Sequence, residues 1–444
     1  MSGRLFGKQL SSFQIIIAGF AAVILIGALL LTLPVSAESG QWTPFGDALF
    51  TAVSAVCVTG LVVQDTALYW SAFGQTLILI LIQIGGLGIV SVAAMIATAS
   101  GRKISLLQRS MLQESISAHQ VGGIVKLTGF ICKTALITEL AGTLLLLPAF
   151  CSAYGTAGIR LAVFHSVSAF CNAGFDIMGS RSGEFSSLTA FGSSFGVVIP
   201  ICLLILIGGI GFLTWDDIAR NRFHFKKYRM QSKVILSAAA LLILIPAALF
   251  FFNDFSSLEL KERICASLFQ AVTPRTAGFN TVEMSSLSSA GRALTVVLML
   301  IGGAPGSTAG GVKMTTAAVL LANSSAVVCR RRNPKLFGRR IEEDTVRAAS
   351  TLLILYLGLV LTGAFLISTA EGLPFETCFF EAASAIGTVG LSLGITPMLG
   401  LVSRGVLIGL MFFGRVGGLT LLYAAVSSRR AETMQFPVGK INVG

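Results

Sequence analysis

The sequence is poor in charged residues, which make up only 12% of its 444 positions. Soluble domains carry about 25% charged residues, so this composition argues against an ordinary soluble enzyme. The chain also has only three histidines, and none of its eight cysteines lies in a CxxC pair. Neither a metal centre nor a disulfide framework is therefore indicated, and we interpret the cysteines as small buried apolar side chains.

Apolar residues take the place of the missing charge: they form 54% of the chain, and the mean hydropathy is +0.84. Apolar runs of 18 or more residues are long enough to cross a hydrocarbon core of about 30 Å. The sequence predicts an all-α polytopic membrane protein with eight transmembrane helices. The predicted spans are 13–33, 74–97, 124–150, 191–213, 234–252, 293–328, 348–369 and 400–426.

The basic residues are distributed unevenly between the two ends of these spans. Of the 32 Lys and Arg residues, 23 fall on one side and six on the other. The positive-inside rule makes the basic side cytoplasmic, with both termini on it. The net charge of +12 is thereby explained by a lipid bilayer, and no nucleic-acid partner is indicated.

One short pattern occurs four times, 104 to 114 residues apart. In each copy a segment rich in small residues follows an aromatic residue and leads to a single glycine. Self-similarity at a nearly constant period indicates one structural unit used repeatedly. The copies are LFTAVSAVCVTGL (49–61), VFHSVSAFCNAGF (163–175), LFQAVTPRTAGF (268–279) and FFEAASAIGTVGL (379–391).

Each unit is predicted to be a span, a re-entrant half-helix with a glycine loop, and a second span, and four units enclose one central pore. Five glycines and one proline within 302–313 cannot remain helical, so the second span of the third repeat is predicted to be broken inside the membrane. The predicted divisions are 1–100 (repeat 1), 101–218 (an amphipathic cytoplasmic surface connector and repeat 2), 219–332 (repeat 3), 333–428 (repeat 4) and 429–444 (a cytoplasmic tail).

The glycine loops are the candidate cation site. A dehydrated cation needs oxygen ligands, and a chain can turn successive carbonyl groups to one side where glycine permits unusual dihedral angles. The half-helices would also direct their negative C-terminal ends toward the cavity. The candidate filter residues are Val58, Thr59, Gly60, Asn172, Ala173, Gly174, Thr276, Ala277, Gly278, Thr388, Val389 and Gly390, and their backbone carbonyls are the predicted K⁺ ligands.

With these four loops, TPRTAGFN at 273–280, GTVGL at 387–391 and a glycine-rich segment ending in Lys313, the chain resembles the Trk/Ktr/HKT superfamily of potassium transport proteins, and specifically its KtrB-type membrane subunits. The resemblance implies K⁺ uptake in a bacterial cytoplasmic membrane, and glycine at position 60 implies potassium competence. It also implies a homodimer on a cytosolic nucleotide-binding regulatory ring of the KtrA type, with no cofactor on this chain. The implied gate residues are Gly302, Gly303, Gly306, Gly310, Gly311, Lys313 and Arg415.

Charges at membrane depth require partners or a function, because burying one costs at least about 2.5 to 3.5 kcal/mol. Arg415 occupies the position of a glycine in the other repeats, and it either opposes cation passage or ties helices together through carbonyl groups. Lys313 either belongs to the gate or extends to the interface. Arg275 is expected to pair with Glu376 or Glu381.

Two further features have expected structural roles. His165 is expected to be packed and hydrogen-bonded. A pair between Lys133 and Glu139 is considered at the inner end of the first span of repeat 2, 124–150.

Two other function classes remain open at this point. A symporter coupled to Na⁺ or H⁺ usually has midplane carboxylates and paired broken helices, whereas the sequence shows no obvious membrane acid and one clearly broken span. An intramembrane hydrolase is the more distant alternative, since Ser307 has no G-x-S-x-G context.

Overall fold

The computed structural model describes residues 4–5, 8–9, 11–100, 104–116, 122–222 and 224–418. The predicted tail 429–444 and the last ten positions assigned to repeat 4 lie outside the described residues. Within them the regular secondary structure is almost entirely helical, and the prediction of a helical membrane protein with long apolar spans is confirmed.

Among the described residues, four long helices are apolar enough to cross a membrane, and each begins a new unit of the chain. Their outward faces expose large apolar side chains such as Leu29 on the first and Leu140 on the second, as expected for surfaces in contact with lipid. These helices are α1 (Ser12–Thr32), α6 (Ile124–Tyr154), α11 (Met230–Phe252) and α15 (Glu343–Glu371).

A short helix of 12 to 14 residues packs against each long helix and is too short to cross a bilayer. Its buried face is made largely of alanine, serine and phenylalanine, which allows close packing against its neighbours. The four short helices are α2 (Phe45–Val56), α7 (Ala157–Phe170), α12 (Leu260–Val272) and α16 (Phe375–Gly387).

A further helix follows each short helix: α3 (Ala72–Leu87), α9 (Phe195–Gly209), α13 (Ser289–Leu300) and α17 (Leu401–Val416). The predicted continuous spans 74–97 and 191–213 are wrong, because the chain turns by 95° after α3 and by 98° after α9. Both turns contain a glycine with positive φ, Gly88 (85°) and Gly211 (89°). The continuations are α4 (Ile89–Ala99) and α10 (Phe212–Asn221).

In the third unit the break predicted at 302–313 is present: α13 ends at Leu300, and α14 (Met314–Val328) begins after an irregular segment. The expectation of one clearly broken span is therefore incomplete, because the chain also breaks its helix after α3 and after α9. The remaining elements are α5 (Leu106–Ile116), α8 (Gly179–Ser182), and two antiparallel pairs of short strands, β1 (Arg4–Leu5) with β2 (Lys8–Gln9) and β3 (Lys335–Leu336) with β4 (Arg339–Arg340).

Candidate functional site: a ring of four glycine loops

Each short helix ends in a loop with the same unusual backbone conformation. Val58, Asn172, Thr276 and Thr388 have φ between 50° and 75°, and the glycine two positions later also has a positive φ. Residues with side chains seldom adopt this conformation, whereas glycine adopts it readily. The φ values at the glycines are 89° for Gly60, 68° for Gly174, 79° for Gly278 and 93° for Gly390.

The four glycines form a closed ring. A Cβ atom added to any one of them would collide with a carbonyl oxygen of the next loop and lie 2.9 to 3.2 Å from the next glycine's Cα. The contacts run from Gly60 to Gly174, from Gly174 to Gly278, from Gly278 to Gly390, and from Gly390 back to Gly60. The carbonyl oxygens of Thr59, Ala173, Ala277 and Val389 therefore meet around this ring.

Hydroxyl side chains near the end of the short helices hold the loops in place, and sequence reasoning missed them. Ser54 Oγ accepts the Gly60 N–H at 3.1 Å, and Ser384 Oγ accepts the Gly390 N–H at 3.0 Å. Ser168 and Thr273 instead donate to the carbonyl groups of Phe175 and Phe279, both at 2.7 Å. The sequence does contain a signal for these contacts, because a serine or threonine lies five or six positions before each of the four glycines.

The segment 302–313, called the intramembrane loop below, lies beneath the ring and is bonded to two neighbouring repeats. The Ala304 N–H donates to the Gly209 carbonyl at 2.9 Å, and the Gly311 N–H donates to the Gly414 carbonyl at 3.2 Å. A Cβ atom on Gly310 would collide with the Thr388 side chain. The structure thus brings Gly310 and Gly311, two of the predicted gate glycines, against Thr388 and Gly387 of the fourth glycine loop.

Arg415 reaches this loop from α17. Its guanidinium group donates to the carbonyl oxygens of Thr308 in the loop and of Gly85 and Gly86 in α3, the last at 3.1 Å. Within the described residues no carboxylate pairs with Arg415. The link between helices through carbonyl groups, one of the two interpretations considered above, is present in the structure.

Lys313 does not extend to the interface but turns back into its own loop. Its Nζ atom donates to the carbonyl groups of Ala309 at 2.7 Å and Gly310 at 3.2 Å, within the same loop. A short irregular segment has carbonyl groups without helical partners, and the ammonium group satisfies two of them. This local bonding replaces the extended conformation that was considered.

A cavity of about 290 Å³ lies below the ring, lined by the intramembrane loop, Lys313, Arg415 and Glu114 of the connector helix α5. A Cβ atom on Gly306 would collide with the carbonyl oxygen of Ile116, the last residue of α5. The connector helix packs against α1 and α4, and Leu112 and Ile116 are buried. It therefore contacts the intramembrane loop below the ring, which a purely surface position would not allow.

The predicted pairing of Arg275 with Glu376 or Glu381 is wrong. Glu376 pairs with Arg292 at 3.4 Å, and Glu381 accepts hydrogen bonds from its own repeat, including that of Thr396 Oγ1 at 2.9 Å. Arg275 is 4% exposed, and its Nε and Nη1 atoms have no hydrogen-bond partner among the described residues. Arg275 pairs with neither acid because Glu376 and Glu381 already bind nearer donors.

The pair considered between Lys133 and Glu139 is also wrong. Glu139 is buried within α6 and accepts a hydrogen bond from Gln83 Nε2 of α3 at 2.9 Å. The six-residue separation from Lys133 directs the two side chains to different faces of the helix. His165 is packed as expected: it is fully buried among three phenylalanine rings, and its Nδ1 lies 2.8 Å from the Leu161 carbonyl oxygen.

Comparison with known proteins identifies the family. The TrkH family, described as cation transport proteins, matches residues 8–433. The chain is 40% identical to the potassium/sodium uptake protein NtpJ of Enterococcus hirae, with 98% of each chain covered. It is 35% identical to the Ktr system potassium uptake protein B of Bacillus subtilis, with 97% of this chain and 96% of that protein covered.

A solved structure with the same fold is the potassium transporter TrkH from Vibrio parahaemolyticus, with a TM-score of 0.73 and 21% identity over 94% of this chain and 86% of that one. The relatives are transporters, which confirms the prediction that the chain is not an enzyme and excludes the hydrolase alternative. The chain belongs to the TrkH family of cation transport proteins and is a multi-pass membrane protein.

Proposed function

We propose that this protein takes up potassium ions through a channel-like pore whose selectivity filter is the ring of four glycine loops. The observation that carries the proposal is the closed ring itself, in which four backbone carbonyl groups meet at four glycines with positive φ. Backbone carbonyl rings can replace the hydration shell of a cation. The names of the relatives, a potassium/sodium uptake protein and a potassium uptake protein, support K⁺ as the cargo.

The backbone hydrogen bonds support this role of the carbonyl groups. The N–H groups of Thr59, Ala173 and Val389 donate back to the helix that precedes each loop, at 2.8 to 2.9 Å. Because these donors are bonded toward the protein, the carbonyl oxygens are left for the ring. All twelve candidate filter residues belong to these loops, and the bound K⁺ is the cargo.

The intramembrane loop and Arg415 form the proposed gate. The loop lies between the ring and the inner cavity, and Arg415 adds a fixed positive charge at the same level. A positive charge beside the path raises the energy of a passing cation, most strongly where water is excluded. Opening therefore requires the loop residues Gly302, Gly303, Gly306, Gly310, Gly311 and Lys313 to move away from the axis with their bonds to neighbouring repeats released.

The complete assembly is proposed to contain eight membrane crossings per chain, with both termini in the cytoplasm of a bacterial cell. The second crossing is α3 in the first repeat, α9 in the second, α13 together with α14 in the third, and α17 in the fourth. Two copies would stand on a cytosolic nucleotide-binding regulatory ring of the KtrA type, which carries the nucleotide while this chain binds none. The resemblance to KtrB-type subunits, together with the similarity to the Ktr system potassium uptake protein B of Bacillus subtilis, supports such a partner.

The test is flux into liposomes that contain the purified protein, measured for K⁺ and Na⁺, with and without the regulatory subunit. We expect uptake that favours K⁺ and increases when the regulator and its nucleotide are added. Equal K⁺ and Na⁺ flux would contradict a selective filter. Flux that the regulator does not change would contradict the gating proposal alone.

A Na⁺- or H⁺-coupled symporter is the second candidate, favoured by the buried carboxylate of Glu139 and by the name of the potassium/sodium relative. Buried intramembrane carboxylates are common in proton and sodium relays. Uptake of K⁺ against its electrochemical gradient, driven only by a Na⁺ or H⁺ gradient, would favour this candidate over the channel.

A further inference from the structure

A second cavity, of about 140 Å³, lies on the opposite side of the ring from the intramembrane loop. It is lined by the four ring glycines and by residues of the loops that follow them. In the proposed topology this side faces the cell exterior, so the cavity is the outer vestibule, through which an ion reaches the filter.

Asp176 is the one ionisable side chain that lines the vestibule within the described residues. Its Oδ1 atom accepts the Met178 N–H at 3.0 Å, and the Ser187 hydroxyl group also bonds to the carboxylate. Ser187 in turn accepts the Asn280 N–H at 3.1 Å. The side-chain Oδ1 of Asn280 is buried and has no hydrogen-bond donor among the described residues.

No basic side chain in the described part of the chain forms an ion pair with Asp176. The arginines at the outer ends of the helices have other partners: Arg404 pairs with Asp47 at 2.6 Å, and Arg292 pairs with Glu376 at 3.4 Å. The vestibule therefore has one negative charge and several oxygen atoms. Hard cations prefer such ligands.

We propose that Asp176, Ser187 and Asn280 form a binding site for a partly hydrated monovalent cation at the outer end of the filter. The inference rests on the proposed uptake of K⁺. A carboxylate beside a narrow, poorly hydrated opening raises the local concentration of cations and so favours their capture at low external concentration. One carboxylate suits a monovalent cation that must leave again to enter the ring.

The experiment compares Rb⁺ uptake by wild type, Asp176→Asn and Glu184→Gln in liposomes. Glu184 is an exposed acid on the same outer loop that does not line the vestibule, so its substitution removes one outer charge as a control. We expect Asp176→Asn to raise the KM by about threefold to tenfold at neutral pH with the maximal rate retained.

An unchanged KM in Asp176→Asn, or an equal rise in Glu184→Gln, would overturn the proposal. Asp176→Asn could also lower the maximal rate. In that case the proposal requires Asp176→Glu, which keeps the negative charge, to restore uptake at low Rb⁺, because a purely structural role of Asp176 would not depend on the charge. Binding is also measured without transport, as Rb⁺ anomalous scattering at Asp176 in crystals of wild type and of Asp176→Asn. If no Rb⁺ signal appears at Asp176 in the wild type, the vestibule site is excluded even when uptake is normal. If the signal appears but the protein transports no Rb⁺, only the proposed function is excluded.

Discussion

The Arg415 guanidinium group donates a hydrogen bond to the carbonyl oxygen of Thr308, which joins α17 of the fourth repeat to the intramembrane loop of the third. The same group reaches Gly86 of the first repeat. One side chain thus connects three of the four units directly below the ring. Its removal should affect the barrier more than the fold.

Arg415→Ala is expected to raise basal K⁺ flux about tenfold without the regulator, because the loop loses a hydrogen bond and the path loses a positive charge. Flux into liposomes measures the effect. Arg415→Gln separates the two causes, since it keeps donor groups and removes the charge. If Arg415→Ala leaves the basal flux unchanged, Arg415 is only a structural tie.

Gly278→Ser is expected to reduce K⁺ uptake by at least about tenfold or to remove the preference for K⁺. The added Cβ would collide with the Val389 carbonyl oxygen, and φ at this position is 79°. Gly405→Ser is the matched control, because a Cβ atom added to this exposed helical glycine would have no neighbour within 4 Å. Normal selectivity in Gly278→Ser would argue strongly against the filter.

Ser384→Ala removes the oxygen that accepts the Gly390 N–H and leaves a partly buried donor without that partner. The expected cost is about 1 to 3 kcal/mol of folding stability, together with a lower K⁺/Na⁺ flux ratio. Thermal unfolding in detergent and the flux ratio are the two measurements. Ser384→Cys, which restores a weaker acceptor, should lie between the wild type and the alanine variant.

The ion pair of Arg404 and Asp47 connects the fourth repeat to the first at the outer side, with an N–O distance of 2.6 Å. Both side chains are mostly buried, so Arg404→Gln should destabilise the protein by about 2 to 3 kcal/mol and leave Asp47 only its hydrogen bond from Gln64. Arg347→Gln breaks an exposed pair with Glu343 and should cost at most about 1 kcal/mol. Equal melting temperatures of the two variants would contradict a closing role for the Arg404 pair.

The sequence was sufficient to predict the features that depend on local chemistry. Gly60, Gly174, Gly278 and Gly390 are recognisable because glycine adopts a positive φ at little cost and they recur at matching places, and the glycines and proline of 302–313 cannot form a helix. The turns at Gly88 and Gly211 were missed because both lie within apolar runs, where hydropathy carries no information about direction.

Partners of buried charges were also not predictable from the sequence. Glu139 contacts Gln83, 56 positions away, and Glu381 is satisfied by residues of its own loop. Long-range pairs of this kind depend on how helices are arranged. Proximity in the sequence favoured the wrong partner for Lys133, whereas Arg275 was assigned to Glu376 or Glu381 because both acids lie in the fourth short helix. The roles of the filter and gate residues remain proposals that the variants above test.

Gly306 of the intramembrane loop lies so close to the Ile116 carbonyl oxygen that there is no free space between the loop and the connector helix. The intramembrane loop cannot descend without displacing α5, which also packs against α1 and α4. A cytosolic protein that moved the connector helix α5 would therefore also move the intramembrane loop of the third repeat, without itself entering the membrane. In the proposed topology, force as well as charge would then reach the proposed ion path from the cytoplasm.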